Sequence, residues 1–151
     1  MRLGITIAIC APVIVSVIGC SNSGEPQTPL AGMYVLQSIN GAALPATAAQ
    51  GGGQQYILVA DSLAFGSDFQ VQRTYTVRWL SNAAPYDTTY TRTATFPYTR
   101  SGDRVTIGAQ LSCGPGANCT GSETGSLDGA SLRVTARIFW PGDPEFLFAR
   151  R

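Results

Sequence analysis

The sequence predicts an all-β protein, folded as a single antiparallel up-and-down barrel of about eight strands. From Met33 onward, apolar and polar residues alternate with the period of a strand that has one face in water. Short turn signals separate the alternating runs, as a chain of hairpins requires. No long amphipathic helix pattern interrupts them. Because closing such hairpins into a barrel removes exposed edges, we favour a barrel, with a two-sheet β-sandwich as the alternative.

The predicted strands follow one another along the chain. The first strand is Met33–Ile39, and the turn pair Asn40-Gly41 ends it. The stretch Ala42–Gln55 is rich in alanine and glycine, and Gly51-Gly52-Gly53 favours a loop there over a short helix. The remaining predicted strands are Ser62–Phe65, Phe69–Leu80, Thr93–Arg100, Arg104–Leu111, Gly121–Leu127, Ser131–Trp140 and Phe146–Arg150.

Residues 1–19 have the layout of a bacterial export signal. Arg2 precedes an apolar run that is short for a membrane span of ~20 residues. The run ends Val17-Ile18-Gly19-Cys20, which resembles a lipobox, the signal in which the cysteine is diacylated and becomes the first mature residue. We expect residues 20–31 to form the acylated cysteine and a flexible tether, and residues 32–151 to form the folded domain. The alternative is an ordinary signal peptide with Cys20 incidental.

The lipid anchor expected at Cys20 predicts where in the cell the protein is located. Two acyl chains give stable membrane attachment, whereas one chain gives only marginal binding. The protein is therefore expected in the cell envelope with the membrane as a partner. Ser21 in place of an aspartate resembles the outer-membrane sorting pattern of bacteria that have two membranes.

Cys113 and Cys119 flank a Gly-Pro-Gly segment. A close cysteine pair around a turn in an exported protein predicts a disulfide. A metal site is the alternative, but it would need two further ligands and the chain has no histidine to supply them.

The charged residues exclude several classes of function. Removal of residues 1–19 leaves equal numbers of arginines and acids, without a basic cluster, which argues against nucleic acid as a partner. Without histidine or lysine the common general bases and imine-forming amines are absent. The acids, including Asp61, Asp68 and Glu123, are expected to serve turns. We therefore predict a non-enzyme without a cofactor or metal.

The segment Gly32–Pro45 resembles the opening of lipocalin-like domains in uncharacterised bacterial lipoproteins. The final strand of those domains likewise ends in aromatic and arginine residues, as Phe146–Arg150 does. True lipocalins open with Gly-x-Trp, and the Trp closes the barrel floor under an arginine of the last strand. The resemblance implies a lipocalin-like barrel whose floor is Tyr34, with Arg150 or Arg151 as its partner.

The inward phase of the predicted strands carries the candidate ligand-binding residues. Its aromatic members include Tyr75, Trp79, Phe96 and Trp140, and two arginines, Arg73 and Arg92, share the phase. A barrel of about eight strands can hold one small apolar ligand, but rings of this kind more commonly form the core itself. A buried cation must meet a carboxylate, the rim or an anionic ligand. The alternative is that a bulge or strand end turns each arginine to solvent.

Two functions follow from these patterns. The first is a lipid-anchored module that binds a small apolar or amphipathic molecule in the barrel. The second is an envelope interaction, inhibitory or structural module with a fully packed core, which acts through its surface on another envelope protein. Interior space favours the first hypothesis, and a dense interior favours the second.

Overall fold

The computed structural model describes residues 28–82, 86–108, 121–137 and 142–151. Four residues of the sequence predictions, Cys20, Cys113, Cys119 and Trp140, lie outside these ranges, as do the signal peptide and most of the tether. Within the described ranges, no helix has the length and apolar character needed to cross a membrane.

The described chain forms ten strands in one antiparallel sheet. They are β1 (Gly32–Ile39), β2 (Ala42–Ala43), β3 (Ala46–Gly51), β4 (Gln54–Phe65), β5 (Gln70–Ser81), β6 (Tyr86–Ser101), β7 (Arg104–Ile107), β8 (Glu123–Asp128), β9 (Ser131–Thr135) and β10 (Glu145–Arg150). Strands β4 to β10 pair in chain order, and β1 follows β10.

Strand β1 closes the sheet into a barrel. One of its edges pairs with β10, and its N-terminal half pairs with β4 from Gly32↔Phe65 to Val35↔Ser62. The ring therefore contains eight strands, β1 and β4 to β10. This confirms the predicted single antiparallel barrel and excludes the β-sandwich.

The stretch Ala42–Gln55 differs from the prediction of a loop. It contains β2, which pairs with β1, and β3, which forms a hairpin with β4. Gly52 and Gly53 have φ values of +57° and +74°, and this pair of positive angles is the requirement of a tight two-residue hairpin turn. The glycines that suggested a loop therefore make the turn between two strands.

Strands β4 and β6 also begin earlier than the sequence predicted. β4 begins at Gln54 instead of Ser62, and β6 begins at Tyr86 instead of Thr93. The pairing of β5 with β6 runs without a bulge from Gln70↔Pro97 to Ser81↔Tyr86. The outward threonines Thr89 and Thr91 dilute the apolar signal of β6. In β4 a bulge between Leu58 and Ala60 interrupts the apolar–polar alternation.

The barrel has two different ends. The lower end carries the short connections at residues 66–69, 102–103 and 129–130, together with Gly32 and Arg150. The upper end carries the β3–β4 turn and the start of β6. At the lower end Tyr34 is buried opposite Arg150, whose guanidinium donates a 2.9 Å hydrogen bond to the carbonyl of Ala31.

Aromatic rings fill the lower end. Phe65 meets Tyr34 edge to face, with ring centroids 5.5 Å apart, and meets Tyr98 in the same way at 4.9 Å. The Tyr98 hydroxyl lies 3.0 Å from the Leu30 carbonyl oxygen and 2.9 Å from that of Gly66. Tyr98 thus links the segment before β1 to the β4–β5 turn.

Replacing Tyr98 with phenylalanine is expected to lower the free energy of unfolding by about 1–2 kcal/mol, because the carbonyls of Leu30 and Gly66 lose the one hydroxyl proton that they share. Urea denaturation measures the change. Tyr56→Phe is the matched control, since the Tyr56 hydroxyl makes an exposed hydrogen bond to Gln54 and its loss should change little. Equal effects of the two variants would contradict the role assigned to Tyr98.

Candidate functional site

Side chains fill the lower and middle parts of the barrel. The apolar core residues that are 2% exposed or less include Leu58, Leu63, Val71, Val77, Val105, Ile107, Leu132, Val134, Phe146 and Phe148. They come from both sides of the ring and pack into one cluster. The described interior of the barrel is therefore a packed core, and the partly exposed inward side chains lie at the upper end.

A charged triad lies within that core. Arg73 on β5 is 1% exposed, and its Nε lies 2.9 Å from Oδ2 and 3.1 Å from Oδ1 of Asp61 on β4. Its Nη1 donates a 2.8 Å hydrogen bond to Oε2 of Glu123, which begins β8 on another part of the barrel wall. The guanidinium also lies 5.5 Å from the ring centre of Phe146. The triad therefore braces the interior from β4 and β5 to β8.

The triad holds one cation and two carboxyl groups away from water. Burial, the largest effect, raises the pKa of Asp61 from 3.8 to about 6, although attraction and hydrogen bonds from Arg73 act in the opposite direction. Burial also disfavours the charged form of Arg73, but the charges of Asp61 and Glu123 outweigh it and raise the pKa of Arg73 above its usual value. Arg73 therefore stays charged.

The structure corrects the expected roles of two acids. Asp68 does serve a turn, because its Oδ1 accepts a 3.2 Å hydrogen bond from the Gln70 amide. Asp61 and Glu123 are instead strand residues, each 1% exposed, so the prediction of turn chemistry is wrong for them. Arg73 is likewise not turned to solvent by a bulge. One sequence pattern could have predicted this burial. Asp61 alternates with Leu63 and Phe65, so it shares their inward side of β4, and Arg73 lies on the inward side of the next strand.

Above the core, the inward side of β4, β5 and β6 forms a second environment, which we call the upper face. β5 and β6 are 12 and 16 residues long, whereas β7 and β8 have 4 and 6, so within the described residues the upper halves of β5 and β6 extend beyond β7 and β8. The upper face consists of Tyr56, Tyr75, Trp79, Tyr86, Tyr90 and Arg92. Most of these side chains are only partly buried, and Tyr86 is 58% exposed.

Three rings of the upper face are nearly parallel. Trp79 stacks with Tyr56 at a centroid distance of 6.4 Å and with Tyr86 at 5.9 Å, with interplanar angles of 12° and 6°. The indole Nε1 of Trp79 is covered and has no hydrogen-bond partner within the described part of the chain. A covered donor without a partner is uncommon, which makes Trp79 the least satisfied polar group of this face.

Arg92 is the cation of the upper face. It pairs across the strands with Tyr75, and its guanidinium carbon lies 5.3 Å from the ring centre of Tyr90. Among residues 28–82, 86–108, 121–137 and 142–151, no carboxylate forms an ion pair with Arg92. Arg78, on the opposite side of the same hairpin, instead forms an ion pair with Asp87.

The predicted ligand-binding residues therefore divide between two places. Tyr75, Trp79 and Arg92 come together on the upper face. Arg73 lies below them in the triad, and Phe96 packs against the core opposite Val71. Sequence reasoning missed Tyr56, because it follows a stretch that was predicted to be a loop.

The outer side of the β5–β6 hairpin is a polar surface. The hydroxyls of Thr74 and Thr93 lie 3.0 Å apart, and those of Thr76 and Thr91 lie 2.8 Å apart. These cross-strand pairs satisfy one another, as on an ordinary solvated sheet face. An open groove of about 500 Å³ lies on the wall formed by β7 to β10, and the Arg133–Glu145 ion pair lines it.

The geometry thus separates a filled, braced barrel from a partly exposed aromatic face that carries an unpaired arginine. No protein-family model, curated protein or solved structure matches the chain.

Proposed function

We propose that this protein is a lipid-anchored binding module of the cell envelope, attached through Cys20, that holds a small apolar or amphipathic molecule on the upper face. The observation that carries the proposal is the partial exposure of inward-facing rings above a filled core. Large aromatic side chains contribute most to stability when they are covered, and a ligand seated on the upper face would cover them. The proposal thus places the ligand above the triad and not within it.

The composition of the upper face supports this proposal. Aromatic rings offer broad apolar contact and cost little conformational entropy to hold in place. The stack of Tyr56, Trp79 and Tyr86 provides such rings already in position. Arg92 adds one polar contact at the side of this apolar surface, a combination typical of small-molecule sites.

The dense interior favours a second candidate function. A fully packed core braced by the triad suits a module that acts through its surface on another envelope protein. In that case the rings of the upper face would form part of a protein contact. Small-molecule capture discriminates between the two functions.

Native mass spectrometry of the exported Cys20→Ser chain, after exposure to envelope extract, tests the proposal. We expect a discrete added mass on the protein. The Trp79→Ala variant is expected to lose it, because truncation removes the central ring of the stack. Thr76→Ala, which alters the outer side of the same strand, is the matched control and should retain the added mass.

A bare protein mass in every extract, from a chain that circular dichroism shows to be folded, would reject the small-ligand function and favour the surface module. Equal retention of the mass by Trp79→Ala and Thr76→Ala would mean that the ligand binds elsewhere on the barrel.

A further inference from the structure

We infer that the ligand of the upper face is a monoanionic amphiphile, with its head group on Arg92 and its apolar body extending over Tyr90 towards Trp79 and Tyr86. This inference rests on the proposed function and specifies its ligand. It assigns the charge of the ligand, the residue that recognises the charge and the direction in which the ligand lies.

The negative charge inferred for the ligand follows from which exposed arginines have an acidic partner. Three arginines that are about half exposed, Arg78, Arg133 and Arg137, each form an ion pair with an acid. Arg92 is exposed as well, but it faces rings, and none of the described acids pairs with it. A guanidinium beside an apolar surface offers a fork of donors that matches a carboxylate.

The triad restricts where that anion can bind. Arg73 already contacts both Asp61 and Glu123, so the core below the upper face has one cation for two acids. An additional anion would be repelled there and attracted at Arg92. On the upper face Arg92 is the one arginine, and none of the described acids pairs with it, which favours a head group with one negative charge.

The strand register sets the direction and length of the apolar body. Arg92 lies opposite Tyr75, Tyr90 lies opposite Val77, and Trp79 lies opposite Thr88. Moving from Arg92 to the level of Trp79 spans four residues of β6, or about 13 Å along the strand. Val77 is fully buried, so the exposed apolar path between these two points runs over the ring of Tyr90. A chain of medium length fits that distance.

Fluorescence of Trp79 provides the measurement. The chain has two tryptophans, so a Trp140→Phe background leaves Trp79 as the only tryptophan, and excitation selective for indole isolates its emission from that of the tyrosines. The full chain is placed in neutral phosphatidylcholine vesicles and titrated with decanoate, decanol or decyltrimethylammonium. These three probes share a ten-carbon chain and differ in the charge of the head group.

We expect decanoate to bind most tightly of the three. Arg92→Gln should weaken decanoate binding by roughly tenfold or more, because a charged hydrogen bond is lost, and should leave decanol binding unchanged. Arg78→Gln is the matched control, because Arg78 is an exposed arginine of the same hairpin on its outer side. It should leave both affinities unchanged, and partition into the vesicles is the same for all variants.

Two results would overturn the inference while the proposed function stands. One is equal decanoate binding by Arg92→Gln and Arg78→Gln, and the other is tighter binding of decyltrimethylammonium than of decanoate. A Trp79 emission that responds to none of the probes, in a chain that circular dichroism shows to be folded, would overturn both the inference and the proposed function.

Discussion

Replacing Arg73 with methionine is expected to lower the free energy of unfolding by about 3–5 kcal/mol, because removal of one partner leaves buried charge without compensation. Arg73 is the only link between Asp61 and Glu123 in the hydrogen bonds that define the triad. Without it, two carboxyl groups remain in an apolar core. Urea denaturation at neutral pH measures the loss.

The control for this prediction is Arg78→Met. Arg78 also forms an ion pair, with Asp87, but both side chains are about half exposed, so its loss should cost less than about 1 kcal/mol. A combined Arg73→Met, Asp61→Leu, Glu123→Leu variant should recover much of the loss, since apolar replacement of a complete buried ion cluster is often neutral or stabilising. A triple variant no more stable than Arg73→Met would show that packing, and not unpaired charge, sets the cost.

Stability is expected to fall as the pH rises from 4 to 7, by about 3 kcal/mol if Asp61 acts alone. The pKa of Asp61 is about 6 in the folded chain, above its ordinary value of 3.8. Between these values the folded state binds more protons than the unfolded state. The contribution of Asp61 is therefore complete below pH 4 and is lost as the pH rises through 6. Denaturation curves at several pH values measure it.

The chain is well suited to this measurement because it contains no histidine, the side chain that usually titrates in the upper part of this range. The Asp61→Asn variant should no longer lose stability between pH 4 and 7, even if its overall stability differs from that of the original chain. Asp87→Asn should preserve the decline, because Asp87 is exposed and the pairing with Arg78 lowers its pKa. A decline that persists in Asp61→Asn would assign it to a group other than Asp61.

The sequence predicts the strands correctly where a strand has one apolar face and one polar face. Alternation from Val71 to Trp79 predicted β5 almost to its ends, and the turn residues predicted most of the hairpins. Closure was inferred from the cost of exposed edges, and the pairing of β1 with both β10 and β4 confirms it. The strands β2 and β3 were missed because small residues such as Ala46 and Ala48 give a weak apolar signal even when they are buried.

The site was only partly predictable, because its parts depend on contacts between distant strands. The inward phase identified Arg73 and Arg92 as unusual, but sequence alone does not say which of them meets an acid. Glu123 lies 50 residues from Arg73 along the chain, and only the closed ring brings them together. Strand length was equally decisive, because β6 extends from Tyr86 to Ser101 and its described pairing with β7 begins only at Tyr98.

The end of the barrel at which the N-terminal segment joins β1 determines how the barrel would be oriented relative to a membrane anchor. Leu30 and Gly32 lie at the lower end, beside Tyr98 and Arg150, and the upper face lies at the opposite pole. With the proposed anchor at Cys20, the twelve residues 20–31 can reach at most about 40 Å from the bilayer to the first strand. The lower pole would then be turned towards the membrane, and the aromatic pole would be presented outward. A molecule arriving from the aqueous compartment would meet Tyr86 and Trp79 first, without having to pass between the protein and the lipid.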